Sequence, residues 1–321
     1  MSVVTPVYNG ESYLRQCVES VLAQTYGNWD YTIVNNCSTD ATLEIAREYA
    51  ARDARIHVHN NDTFVRVIQN YNIAVRQASP SSEYCKVVAA DDWLFPECLQ
   101  RMVALGEECR NVGIIGAYQL CGTRVEWQGL EISEKVVSGR DAGRRELLGG
   151  PYVIGTPTTV MFRSSLIRSR PSFFNESNFH ADTEACVESF ERCDFGFIHQ
   201  VLTYGRVAKD SLTSFSQRYN TYSVNNLHML KHHGAKYLTE TELRRRLQNV
   251  RANYLEYLGK QVWKQREPEF WAYHRSKMAE LGYPLTRMTL VGAAARVGLD
   301  LLLNPKRSLQ KAFQTDHPSF R

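Results

Sequence analysis

The sequence predicts an α/β fold with a mostly parallel, doubly wound sheet and a helical C-terminal extension. Short β-rich runs alternate with helix-period segments through roughly the first hundred residues, as a chain of βα units would. Polar clusters rich in Asn, Asp, Pro and Gly follow directly on three of those runs. After about residue 216 the apolar period becomes helical and stays so.

Ser2-Val3-Val4 reads as a strand stub that Pro6 should end, because proline brings no N–H to a ladder. Tyr13/Leu14, Cys17/Val18 and Val21/Leu22 recur every four residues and give one apolar helix face. Tyr31 to Val34 is a buried-type strand, and Ser38-Thr39-Asp40 offers cap chemistry for a helix over 41–50. Ile56 to Val58 is a third strand, and a helix over 65–78 follows it. Pro80-Ser81-Ser82 is a turn before a fourth strand, Tyr84 to Ala89, which runs straight into Asp91-Asp92. A helix over 96–109 leads to a strand over 112–117. Residues 118–150 show Gly-rich turns and no clear period; strands over 158–162 and 197–202 come later. These patterns divide the chain into an α/β domain over 1–216 and a mostly helical extension over 217–321.

At 43% hydrophobic and 22% charged residues, the chain is globular and long enough for a sizeable core. No apolar run reaches the roughly 18–20 residues that cross a bilayer, and no charged n-region with an apolar h-region opens the chain. The expectation is a cytoplasmic protein with its eight cysteines reduced. The net charge of +4 hides an asymmetry. Residues 236–321 hold 16 Lys and Arg against 8 Asp and Glu, while residues 1–235 are net −4. A basic tail on a mildly acidic body suggests an anionic partner. Arg and Tyr interleave there at helical spacing, which suits a packed helix better than a nucleic-acid surface, so no nucleic acid is expected.

The three polar clusters lie where a doubly wound sheet binds ligands, at the carboxyl ends of strands. In Thr5-Pro6-Val7-Tyr8-Asn9-Gly10, Tyr8 could stack on a base, or the segment is an ordinary β-to-α turn. In Asn35-Asn36-Cys37-Ser38-Thr39-Asp40, two amides could read a nucleobase edge; Ser38 or Asp40 would cap a helix in either case. In Ala89-Ala90-Asp91-Asp92, adjacent carboxylates call for neutralisation, which a divalent cation on a diphosphate would supply; the bland reading is a helix cap with Pro96 in the first turn.

The order and wording of these clusters resemble family-2 glycosyltransferases, which open on T-P-x-Y-N, then carry D-D-x-S-x-D, then an acidic D-x-D or D-D motif. Asn72-Ile73-Ala74 falls where that family keeps an Asn on the helix before the acidic strand. Gly155-Thr156-Pro157-Thr158 resembles its acceptor-side strand, and Ala181-Asp182-Thr183-Glu184 lies where it has Glu-Asp. The resemblance covers about residues 2–215 and implies a GT-A nucleotide-sugar fold. It implies a donor site of Thr5, Pro6, Tyr8, Asn9, Asn35, Asn72 and Asp91, with Tyr8 and Asn35 on the base and Asp91 on the ribose. Asp92 would hold Mg²⁺ or Mn²⁺ on the diphosphate. Asp182 would take the proton of an acceptor hydroxyl as it attacks opposite the leaving group, inverting the anomeric centre. The partners implied are a nucleotide-sugar donor and a hydroxyl acceptor, whether glycan, lipid-linked or small molecule, in glycan or cell-surface polysaccharide synthesis. The apolar stretch 288–303, followed by Lys306, Arg307 and Lys311, either makes a peripheral contact with the inner face of the membrane or packs on the catalytic domain or a second subunit with its charges solvated.

The chain departs from the family's pattern at four places. Asn35-Asn36 replaces an Asp pair, Ala89 replaces the first Asp of the D-x-D-D string, Tyr71 stands where Arg is common, and Ala208 stands where many members place a metal-binding His. Such losses also suit a catalytically silent sugar-nucleotide-binding or scaffold protein on the same frame. Retention of Asp92 and Asp182 argues for an enzyme. The missing Q-x-x-R-W signature points to transfer of a single sugar rather than processive synthesis. A nucleotidyl-type transferase or a nicotinamide dehydrogenase would want a Gly-rich phosphate loop after the first strand, and Gly10 alone does not make one.

Overall fold

A computed structural model describes residues 1–206, 212–264 and 266–303. Ala208, Lys209, Lys306, Arg307 and Lys311 lie outside the described residues. The chain divides into two compact units, Met1–Val207 and Ala208–Arg321.

In the first unit the order is β1 (Ser2–Val7), α1 (Leu14–Leu22), β2 (Asp30–Asn35), α2 (Thr42–Arg52), β3 (Ile56–Asn60), α3 (Val67–Arg76), β4 (Tyr84–Val87), β5 (Trp93–Leu94) and α4 (Cys98–Glu108). It continues with β6 (Val112–Cys121), β7 (Arg124–Glu126), β8 (Val136–Val137), α5 (Gly139–Leu148), β9 (Met161–Arg163), α6 (Ser164–Arg168), α7 (Ala181–Ser189) and β10 (Asp194–Gly205). One sheet runs β3-β2-β1-β4-β9-β6-β10-β5. It is parallel through β3, β2, β1 and β4, and again between β6 and β10; β9 enters antiparallel to both β4 and β6. Alternation along the strands fills both faces. Val3, Tyr31 and Ile33 join α1, α2 and α4 in one core. Val4, Val34 and Val87 are buried but outside that core, as are Ala74 and Val75 of α3, the helix that packs on β1 and β2. The sheet is thus wound on both sides.

Three local expectations are corrected. β1 does not stop before Pro6; it pairs with β2 through Val7. Val88 N–H bonds the Val4 carbonyl, so alternation turns the Pro6 nitrogen toward the β4 side, beyond the last β1–β4 pair at Val4 and Val87. No ladder bond is lost there. The strand expected over 158–162 is shorter, because Pro157 to Thr159 form a turn closed by Thr159 N–H on Thr156 O at 2.9 Å. The aperiodic stretch 118–150 holds a helix, α5, capped by Ser138 and ended by Gly149 in the left-handed region. Its buried face is Gly139, Ala142, Gly143 and Leu147. A Cβ on Gly139 would stand about 2.1 Å from the Cys193 carbonyl oxygen, so the face is glycine where a helix pattern would want leucine.

The second unit is α8 (Leu212–Tyr219), α9 (Thr221–Tyr237), α10 (Glu240–Trp263), α11 (Pro268–Glu280) and α12 (Arg287–Leu303). Thr239 and Glu242 form a reciprocal capping box at the start of α10. α10 and α12 approach closely at Gly259, where a Cβ would meet the Ala293 carbonyl oxygen at 2.7 Å. Tyr254 bonds His274 Nδ1 in the same core. Among the described residues no helix is long and apolar enough to cross a membrane. All eight cysteines are free.

Candidate functional site

The first two polar clusters interlock at the carboxyl ends of β1 and β2. Asn9, at φ 50°, accepts the Thr39 N–H on its side-chain oxygen at 2.8 Å, and its own N–H donates to Ser38 Oγ at 2.9 Å. Gly10 N–H donates to Thr42 Oγ1, and Glu11 caps the Ala41 N–H. Thr5 is fully buried and bonded to the Tyr31 hydroxyl, with Pro6 buried beside it. Asn35 is buried too, its Nδ2 donating to Asn60 Oδ1 at 2.6 Å. Tyr8 differs: it is about half exposed, with its ring edge-on to the exposed Phe64 at 4.9 Å. Phe64 escaped the sequence reading, and one exposed Phe ahead of a helix carries no signal that could have found it.

The third cluster lies past the end of β4. Asp92 is buried and accepts the Arg206 backbone N–H at 3.0 Å. Burial, then the neighbouring charge of Asp91, push its carboxyl up to about 7, against hydrogen bonds from Thr158 and Arg206. Lys86 lies beneath, fully buried on β4, and donates to the carbonyls of Thr158 and Val160. Thr158 Oγ1 in turn accepts the Ala89 N–H at 3.1 Å. The Arg206 side chain bonds Gln16 and the Asp91 carbonyl, and its guanidinium sits 4.4 Å from the Tyr13 ring centroid. The donor set fits a hard divalent cation. It offers the carboxylates of two adjacent residues, Asp91 and Asp92, which are oxygen ligands of the kind such ions take.

Asp182 stands in the first turn of α7, with Thr183 N–H on one carboxylate oxygen at 2.8 Å. Burial raises its carboxyl to about 6. His180, at the N-cap, is buried and held down to about 4, so it is neutral at pH 7. Glu184 is buried and accepts from Asn175 and Asn178, both at 2.9 Å. The Tyr152 hydroxyl pairs with Thr183 Oγ1 at 2.8 Å.

α3 is tied to the loop that leads to α7. Asn72 is buried and reaches the loop before α7, donating to Ser172, Phe174 and Glu176 and accepting the Phe174 N–H. Tyr71 is half-buried, its ring edge-on to Phe174 at 6.0 Å. Burial raises its phenol strongly, and the charges of Asp91, Asp92 and Asp182 all add to that effect. A separate cavity of about 370 Å³, lined by Leu130, Val137, Ile154, Phe190 and the Glu134–Arg145 pair, includes none of these residues.

An acidic pair past the end of a parallel strand, an exposed Tyr8–Phe64 pair after β1 and a half-buried carboxylate in the first turn of α7 sit on an α/β fold of the GT-A type. The model of the family described as "Glycosyl transferase family 2" matches residues 2–170. The chain is 30% identical over 229 residues to the putative glycosyltransferase EpsE of Bacillus subtilis, covering 70% of this chain and 78% of that one. The fold is similar to that of S. aureus TarS 1–349 in complex with UDP-GlcNAc, at a TM-score of 0.66 and 16% identity, over 92% of this chain and 87% of that one. It is also similar to the mannosyltransferase PcManGT of Pyrobaculum calidifontis in complex with GDP-Man and Mn²⁺, at a TM-score of 0.56 and 15% identity, over 97% and 82% of the two chains. The protein belongs to glycosyl transferase family 2.

Proposed function

We propose that the protein transfers a single hexose-type sugar from a nucleoside-diphosphate sugar to a hydroxyl acceptor, with inversion, in glycan or cell-surface polysaccharide synthesis. The observation that carries this reading is the presence in one α/β unit of the Asp91-Asp92 pair past β4, with Asp92 buried and bonded to the Arg206 N–H, and of Asp182 in the first turn of α7. In this reading Tyr8, with Phe64, stacks on the base, Asp91 takes the ribose, and Asp92 holds Mg²⁺ or Mn²⁺. Thr5, Pro6, Asn9, Asn35 and Asn72 frame the donor site; the Thr5, Asn35 and Asn72 side chains are buried in hydrogen bonds within the protein. A bound divalent ion would offset charge building on the departing diphosphate. Arg206, fixed beside the acidic pair, adds a permanent positive charge there. Asp182 receives the acceptor's proton, and burial keeps its carboxyl near the range where a base is effective at neutral pH. The α/β domain over 1–216 would do the chemistry, and the helical extension over 217–321 would bring the enzyme to an anionic membrane surface at the cytoplasmic face. Retention of Asp92 and Asp182 in hydrogen-bonded positions favours an enzyme over a silent scaffold.

The test is a screen of nucleotide sugars for donor hydrolysis and transfer, with and without Mn²⁺. At least one donor should turn over faster with the metal. Binding of nucleotide sugars without any turnover would favour the silent-scaffold reading.

A further inference from the structure

The cavity of about 370 Å³ has the size of a small-ligand site, for which roughly 300–1,000 Å³ is usual. Its apolar walls include Val137 of β8, Phe195 of β10 and Phe190, the residue that closes the C-terminus of α7. Asp182 stands in the first turn of that same helix, about 12 Å earlier along its axis at ~1.5 Å per residue. The 151–154 segment makes a second link. Pro151, Val153 and Ile154 line the cavity, while between them the Tyr152 hydroxyl pairs with Thr183 Oγ1 at 2.8 Å, and the Thr183 N–H holds the Asp182 carboxylate. Trp127 heads the loop that supplies Leu130 and Glu131 to the wall. It is buried at φ 70°, a left-handed conformation that is rare for a bulky residue. Its indole N–H donates to Gln119 Oε1 at 3.3 Å, and its ring meets Tyr152 edge-on at 5.2 Å. The surroundings thus hold this loop in a conformation it would not choose alone, as binding sites do.

We propose that this cavity receives the non-reacting part of the acceptor, an alkyl or aryl group without negative charge, while the acceptor's hydroxyl lies at Asp182. This rests on the glycosyl-transfer reading above and narrows the acceptor to a class. The walls supply the apolar half of the argument and the charges supply the rest. Glu131, Glu134 and Glu146 line the cavity against one cation, Arg145, which is bonded to Glu134 at 2.7 Å. A phosphate or carboxylate brought there would face two carboxylates in excess, whereas a hydrocarbon chain gains from burial at no electrostatic cost. Binding at a distance from the reacting hydroxyl also holds that hydroxyl in place for attack.

The test is calorimetric titration of the full chain, below micelle-forming concentrations, with hexyl and octyl β-glucoside, methyl glucoside and octyl phosphate. Octyl glucoside should bind roughly 5- to 15-fold more tightly than hexyl glucoside, the worth of two buried methylenes. Methyl glucoside should not compete with it, and octyl phosphate should bind at least about 10-fold more weakly. Two variants fill the cavity from opposite sides, Ala142→Leu from α5 and Val153→Phe from the loop. Each should weaken octyl glucoside at least about 10-fold, because the chain loses its room. A thermal melt no lower than the parent's checks each fold, and either variant alone suffices. Affinity that ignores chain length overturns the proposal. So does octyl glucoside bound equally by the parent and a folded filling variant, which would place the chain elsewhere on the surface. Octyl phosphate bound as tightly as octyl glucoside overturns the exclusion of anions. Chain-length-dependent binding in a protein that turns over no nucleotide sugar overturns the glycosyl-transfer reading, and with it the acceptor assignment.

Discussion

Asn72 and Phe174, 102 residues apart in sequence, exchange a pair of hydrogen bonds: Asn72 Nδ2 donates to the Phe174 carbonyl and Oδ1 accepts the Phe174 N–H, both at 2.8 Å. The pair ties α3 to the loop that leads into α7 and Asp182. Asn175 and Asn178 continue the tie by holding Glu184 in the first turn of that helix. Asn72→Ala should therefore act first on stability. It leaves the Phe174 N–H without a partner and the Phe174 carbonyl with only the Ser172 hydroxyl, at about 1–3 kcal/mol. Denaturant unfolding should show a lower midpoint at unchanged slope. Full stability with selective loss of donor binding would instead make Asn72 a ligand contact.

Asp182 poses a trade between chemistry and stability. Asp182→Asn should lower transfer on the order of 10²–10⁴-fold while nucleotide binding holds. The parent's kcat/KM should rise with pH through about 6, because only the ionised carboxylate accepts a proton. The linkage has the opposite sign. The folded carboxyl titrates at about 6 and the unfolded one at 3.8, so the folded state binds more protons between them and stability falls as pH rises through that window. Asp182→Asn should thus be more stable than the parent above pH 6 and about equal to it below pH 4. A variant that keeps more than about a tenth of parental turnover would remove Asp182 from the chemistry.

Asp92→Ala should abolish the dependence of nucleoside-diphosphate binding on Mn²⁺, as read by calorimetry with and without the ion. The carboxylate is buried beside Asp91, and under the proposed function a divalent cation would offset the charge of the pair. Parental binding that ignores the metal would shift the compensating role to Arg206.

Much of this arrangement was legible in the sequence because local rules dominate there. Buried strands running into Asn35 or Asp91, and four-residue apolar steps such as Leu14, Cys17 and Val21, reveal elements without tertiary help. Reading failed where small residues or neighbours decide. α5 hid because its buried face is mostly glycine and alanine, and Pro6 stayed in its strand because the adjacent strand had already left. Among the site residues, the sequence shows Thr5 and Asn35 near strand ends and Asn72 on a helix. It does not show that each turns inward to Tyr31, Asn60 or Phe174. Side-chain direction there depends on contacts 25 to 102 residues away.

Lys86 gives a test that does not involve the reaction. Its ammonium is buried beneath the acidic pair on two carbonyls, and burial lowers it to about 8 from 10.5. Between those values the unfolded chain binds more protons, so stability should rise as pH increases from 8 to 10.5. Lys86→Met should lose this rise relative to the parent in denaturant melts at pH 7.5, 9 and 10.5. Parallel curves for the two proteins would mean the ammonium is solvated in solution.

α12 bears on where the enzyme works. Leu290, Ala293, Ala294 and Val297 are its buried side. Met288, Val291, Ala295, Leu299 and Leu302 are exposed at steps of three and four residues, so they form one apolar stripe facing out. Trp263 lies alongside, exposed, with its indole N–H on the Ala294 carbonyl at 3.3 Å. Arg287 and Arg296 are exposed on the same helix, and residues 236–321 carry a net charge of +8. An apolar stripe with aromatic and cationic borders suits the interface of an anionic bilayer, where burial of the stripe and attraction to headgroups add. The full chain should float with phosphatidylglycerol vesicles at low salt and less at high salt. Val291→Glu, Leu299→Glu and Leu302→Glu together should abolish flotation and leave thermal stability near parental, since all three side chains are already in water. Flotation that survives these changes would clear the stripe of any membrane role, and a dimer of the parent that the triple variant loses would assign it to a second copy of the chain.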